Sequence, residues 1–163
     1  MEAVIHHSVN RAADEAVNIW ALASAQYPKK HIFILNIVTA RIIESLGAFA
    51  LNARRTLEIL PGDEKYQLEQ PRWNWEPRNE SVVVYDLRDA LNRIIHANKL
   101  EVGFEDLPKK LAVTTEGSVV VPYIRAETDR KKLAFIDPFA LSHAFLYCVY
   151  PKLVSIVEKS LIK

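Results

Sequence analysis

Apolar residues recur at three- and four-residue steps from the N-terminus. Ile5, Val9, Ala12, Ala13, Ala16, Trp20 and Ala23 share one face, which predicts a helix over about 2–26. Tyr27-Pro28 closes it, because a residue before proline is pushed out of the helical region. Ile34, Val38, Ile42, Phe49, Ala53, Leu57 and Leu60 keep the same period and predict a second helix over about 30–60, stopped by Pro61-Gly62. Val84, Leu87, Leu91, Ile94 and Ile95 predict a third over about 83–99. Asp137-Pro138 then supplies an N-cap and a first-turn proline for a last, largely apolar helix to about 161, with Pro151 as a kink.

Two segments break this rhythm. Residues 61–81 hold Pro61, Pro71, Pro77, Trp73 and Trp75 with little periodicity, and read as a loop that its tryptophans anchor to the helices. Between about 101 and 136 the runs SVVVPYIRA and KKLAFID, separated by Glu127-Thr-Asp-Arg-Lys, signal a β-hairpin, with Pro122 on an edge strand and a short third strand near Val102. Four one-faced helices favour a bundle. The expected fold is therefore mainly α: a four-helix bundle over residues 1–163, with the β arm inserted between helices three and four.

Composition narrows the function. The chain has 163 residues, 50% hydrophobic and 25% charged, which suits a folded domain. Its 21 Lys+Arg against 20 Asp+Glu give a net charge of +1, so no broad basic face is available for nucleic acid. Four glycines leave no Gly-rich phosphate loop. The single cysteine, Cys148, has no internal disulfide partner and reads as a small core residue on the last helix, as His143 reads as a core histidine. His6-His7, His31 and His143 lack ligand spacing, so no metal or other cofactor is expected. No signal peptide is visible, and the longest uninterrupted apolar stretches fall short of a membrane span. A soluble, cytoplasmic protein with no membrane partner is expected.

The chemical signal lies on helix three. With Leu87 at zero on a wheel of about 100° per residue, the apolar positions centre near 30°. Arg88, Asn92 and His96 fall at about 100°, 140° and 180°, a stripe leading away from the core. A guanidinium, an amide and an imidazole in line suit phosphate binding and proton transfer near neutral pH. A ribose 2′-hydroxyl as nucleophile would require no metal. Arg93 pairs by spacing with Asp89. Arg54 and Arg55, if they faced this stripe, would add a local phosphate-binding cleft despite the neutral overall charge. Lys29-Lys30, Lys109-Lys110 and Arg130-Lys131-Lys132 read as solubilising clusters, the last opening the second hairpin strand.

The run Leu91-Asn-Arg-Ile-Ile-His-Ala97 resembles the helix-three signature of HEPN domains, four-helix proteins of toxin–antitoxin, phage-defence and RNA-processing systems. That signature is an arginine, often followed by asparagine, then four to six residues to a histidine. Asn92 and His96 match it in register. Its arginine would fall at Leu91; Arg88, one turn earlier, is the substitute on the same stripe, with seven residues between it and His96. The tyrosine that some members carry two residues after the histidine is here Asn98. The resemblance implies a homodimeric, metal-independent endoribonuclease with Arg88, Asn92 and His96 as catalytic residues. It also implies RNA contacts from Arg93, Arg54 and Arg55, and an antitoxin or defence-complex partner. The alternative is a non-catalytic helical dimerisation or interaction module that docks an effector through the hairpin or the tryptophan loop.

Overall fold

The fold is that of a computed structural model, which describes residues 2–69 and 81–161. Helix α1 (Glu2–Ser24) and helix α2 (Ile32–Leu57) pack along each other. Val9, Ala12, Ala16 and Ile19 of α1 are buried with Val38, Ile42, Leu46, Phe49, Ala53 and Leu57 of α2. The small residues on α1 let the larger side chains of α2 fill the seam. Between the two helices, β1 (Tyr27–Pro28) is a two-residue strand.

The four-helix bundle expected from periodicity is not what forms. The described residues are 56% helical with four helices, but they also carry two sheets of three and four strands, so the fold is α+β. One sheet has the order β1-β5-β4, with β4 at Glu105–Asp106 and β5 at Ser118–Val120. The other has the order β2-β7-β6-β3: β2 (Val82–Val83), β3 (Lys99–Val102), β6 (Ile124–Glu127) and β7 (Ala134–Ile136). In it β2 runs parallel to β7, and β6 is antiparallel to both β7 and β3. Ile124, Ala126, Ala134 and Ile136 are fully buried in the same core as the helices. The hairpin β6–β7 is thus the middle of a core sheet, not an arm appended to a bundle.

Two local causes explain the difference. The run SVVVPYIRA is divided at Val121-Pro122-Tyr123, and its halves join different sheets. A proline, lacking an N–H, cannot continue a ladder through that point. Helix α3 is also far shorter than expected, spanning Leu87–Ile95. The β-branched residues before it enter the sheet as β2, and Asp86 caps the helix by accepting from the Asp89 N–H at 2.9 Å. Beyond its end, the Asn98 N–H donates to the Glu127 carbonyl at 2.8 Å and starts β3. Helix α3 therefore connects the two edge strands of the four-stranded sheet.

Asp137 caps helix α4 (Pro138–Ala144), accepting from the backbone N–H groups of Phe139 and Ala140. A π turn at Phe145–Val149 carries the chain without a break into α5 (Tyr150–Leu161). Pro151 has no N–H to give the preceding turn, and the widened turn sits directly before it. Phe145 meets Phe49 edge to face, with ring centroids 5.3 Å apart. Cys148 is exposed and so is not the core residue expected, while His143 is half-buried and stacks on Trp20 and Tyr147. Both occupy the outer face of a helix whose inner face is Leu141, Phe145 and Val149.

In the 61–81 segment, Tyr66 and Leu68 are buried, and their backbone bonds to Leu87 and Tyr85 hold it down. Trp73 and Trp75 lie outside the described residues. Ile32–Leu57 and Pro138–Ser160 are each long and apolar enough to cross a membrane, by length and composition alone. Here both place one face in the shared core.

Candidate functional site

A cleft of about 500 Å³ opens between the C-terminal turn of α3 and the β6–β7 turn. Asn92, Arg93 and His96 line it from the helix, Thr128, Asp129, Arg130 and Lys131 from the turn, and Asn98 from the start of β3. His96 is the C-cap of α3; its backbone N–H donates to the Asn92 carbonyl at 3.0 Å and its side chain is exposed. A helix C-terminus carries partial negative charge and does not by itself attract an anion. Positive charge must come from elsewhere.

The hairpin turn supplies it, and α2 orients the amide beside it. From α2, Arg54 donates through Nε to the Asn92 Oδ1 at 3.1 Å, while its Nη1 meets Glu58 at 2.9 Å. This fixes the Asn92 oxygen as an acceptor and leaves the Nδ2 amide free to donate towards the cleft. From the hairpin turn, Arg130 and Lys131 line the opposite wall. The triplet Arg130-Lys131-Lys132 lies in that turn, not at the start of a strand.

Arg93 is committed to structure. It is nearly buried, with 11% of its side chain exposed, and bonds Asp89 through Nε at 3.0 Å and the Lys132 carbonyl through Nη1 at 2.9 Å. Lys131 reaches the other Asp89 oxygen at 2.6 Å. Burial alone would raise the Asp89 carboxyl, but hydrogen bonds from Lys131 and Arg93 outweigh it and hold the group below the ordinary aspartate range. Asn98 donates to Asp129, and the Lys131 N–H to Thr128 Oγ1, which shape the turn.

The stripe read from the sequence is thus divided. Asn92 and His96 share the cleft, whereas Arg88 lies one end of the helix away, in a separate cleft of about 160 Å³ beside Asp63, Lys65 and Asp86. Eight residues at about 1.5 Å each separate Arg88 from His96 by roughly 12 Å along the axis. Arg54 reaches the site only through its bond to Asn92, and Arg55 is exposed with no described partner. The contribution of Thr128–Lys131 was not signalled by any motif. Only the sheet register, which brings the end of β6 beside the start of β3, places that turn next to His96.

Among the described residues, no group of three or more His, Cys, Asp or Glu side chains is placed to hold a metal ion. Compared with family models, curated proteins and solved structures, the chain gives no significant match to any of them.

Proposed function

We propose that the α3–hairpin cleft binds RNA and supports metal-independent cleavage of its backbone, with His96 moving the proton. The observation that carries this reading is the meeting of three groups: the exposed His96 imidazole, the Arg54-anchored Asn92 amide, and Arg130 and Lys131 across the cleft. In the step envisaged, His96 removes the proton of a ribose 2′-hydroxyl, whose oxygen attacks the adjacent phosphorus. The P–O5′ bond breaks, leaving a 2′,3′-cyclic phosphate and a 5′-hydroxyl, to whose oxygen an acid must return a proton. Arg130 would stabilise the charge on phosphorus, a role that electrostatic preorganisation serves well, while Arg54 holds Asn92 in place. One imidazole is one proton carrier, so a second copy of the chain is the natural source of the second. An endoribonuclease of this kind, restrained by a partner protein, fits a toxin or defence setting.

The test is incubation of purified protein with single-stranded RNA in EDTA. Cleavage to cyclic-phosphate ends is expected, abolished by His96→Ala and by a 2′-deoxy substrate. Cleavage retained by His96→Ala would overturn the assignment.

A second reading has its own support. Arg93 is held by Asp89, and Arg88 sits in another cleft, so α3 offers no uncommitted arginine beside His96. A cleft of this kind can hold a phosphate without cutting. That reading expects RNA binding weakened by Arg130→Ala, with no product in any condition.

A further inference from the structure

Among the described residues, six of the eleven exposed large apolar side chains lie on two segments that hydrogen bonds bring together: Ile32, Phe33, Ile34 and Ile37 at the start of α2, and Leu111 and Val113 in the loop after β4. The link is made at Gln26, whose Nε2 donates to the Leu111 carbonyl at 3.0 Å and whose Oε1 accepts from the Val113 N–H at 3.1 Å. The Lys29 N–H adds a bond to the Gly117 carbonyl at 3.2 Å, closing the loop against the entry to α2. Gly117, at φ +100°, occupies the left-handed region that this turn requires. The segments are held by backbone and amide bonds, so their proximity does not depend on apolar packing.

The same two segments carry Lys29, Lys30, His31, Lys109 and Lys110, all exposed, against exposed acids at Asp106 and Glu116. Lys29 is paired with Asp106; Lys30, Lys109 and Lys110 have no ion-pair partner among the described residues. Phe33 is 79% and Val113 76% exposed, and neither lines any of the larger clefts, so these side chains project instead of forming a groove. A protruding apolar tip ringed by cations is a poor match for a second copy, which would oppose lysine to lysine. It matches a surface that is apolar inside and anionic outside.

We propose that this face docks the protein peripherally on an anionic lipid bilayer, with Phe33, Ile37 and Val113 entering the headgroup boundary and Lys30, Lys109 and Lys110 contacting lipid phosphates. Helix α2 keeps its inner face in the protein core and does not cross the bilayer. The docking face is separate from the α3–hairpin cleft and stands whether or not that cleft acts on RNA.

The experiment is sedimentation of the full chain with vesicles of phosphatidylcholine, with and without phosphatidylglycerol. Binding is expected to the phosphatidylglycerol vesicles and to be released by high salt, as screening of surface charge requires. One lysine near an anionic surface is worth about fivefold in affinity, so Lys30→Glu with Lys110→Glu lowers it by at least about 25-fold. Phe33→Ser with Val113→Ser lowers it by about tenfold or more, with an unchanged melting temperature because both sites are exposed. Failure of the wild type to sediment with phosphatidylglycerol vesicles overturns the proposal, and this arm needs no variant. So does protein that resists both salt and alkaline washes, which would mean insertion of α2. A dimer in light scattering that the Phe33/Val113 variant dissociates, without vesicle binding by the wild type, assigns the face to a second copy instead.

Discussion

Arg54 Nε donates to Asn92 Oδ1 at 3.1 Å, joining the last turn of α2 to the middle of α3 across 38 positions of sequence. This bond orients the amide one helical turn before His96. It is partly buried, and a hydrogen bond from a charged donor in such a place is worth about 1.5–3 kcal/mol. Arg54→Ala and Asn92→Ala should each cost about 1–2 kcal/mol in urea unfolding. Because each removes the same contact, the double variant should cost clearly less than the two together. Strict additivity would show that the two side chains do not act as a pair.

Arg130 and Arg88 separate the cleft from the stripe. If RNA lies against the hairpin turn, Arg130→Ala should weaken binding and reduce the salt slope by about 0.7, the value for one phosphate contact on a single strand. Arg88→Ala should leave both unchanged, since Arg88 lies in the other cleft. Fluorescence anisotropy over a salt series measures this, and equal effects from the two variants would return Arg88 to the site.

Asp89 makes the α3–hairpin clamp sensitive to acid. Its carboxyl is lowered in the folded state, so its contribution is fully present above the unfolded aspartate value of about 4 and is lost as pH falls through the lower folded value. The urea midpoint should fall as the pH drops below about 4, partly through this group. In Asp89→Asn the protein should be weaker at neutral pH and should lose less on acidification. Parallel pH profiles for the two proteins would remove Asp89 from the account.

Phe49 and Phe145 form the centre of the helical core, both fully buried. Phe49→Ala should cost about 3–5 kcal/mol, the usual price of deleting a buried aromatic. Phe49→Leu should cost much less, because it keeps most of the volume. Thermal and denaturant unfolding distinguish the two. Similar losses would mean that ring geometry, not volume, carries the contact.

The helices were legible because their cause is local. A 3.6-residue period, an aspartate before a proline at 137–138, and Pro61-Gly62 are all readable within one turn or two. The sheets were not, because their cause is distant: Val82 pairs with Ala134, and Lys99 with Glu127. Val83 and Val84 continued the apolar rhythm of α3 on paper, yet Val83 belongs to a strand, since only tertiary pairing tells a β-branched residue before a cap from one inside a helix. The candidate site follows the same division. Asn92 and His96 line one cleft because they sit a turn apart on one short helix, and Arg88 lines another because a stripe records angle and not height. Thr128–Lys131 was recognised as a turn, but nothing near it in sequence says what it faces.

The edge-to-edge course of α3 sets a limit on its length. Crossing a four-stranded sheet means bridging three strand spacings, about 14 Å, and nine helical residues rise by about the same distance. The helix is a strut cut to fit. Adding one residue would either turn His96 by about 100° out of its cleft or pull β3 out of register with β6. The residue count of α3 is therefore constrained apart from its composition, and a scan of single-residue insertions should find α3 less tolerant than the loop carrying Val113.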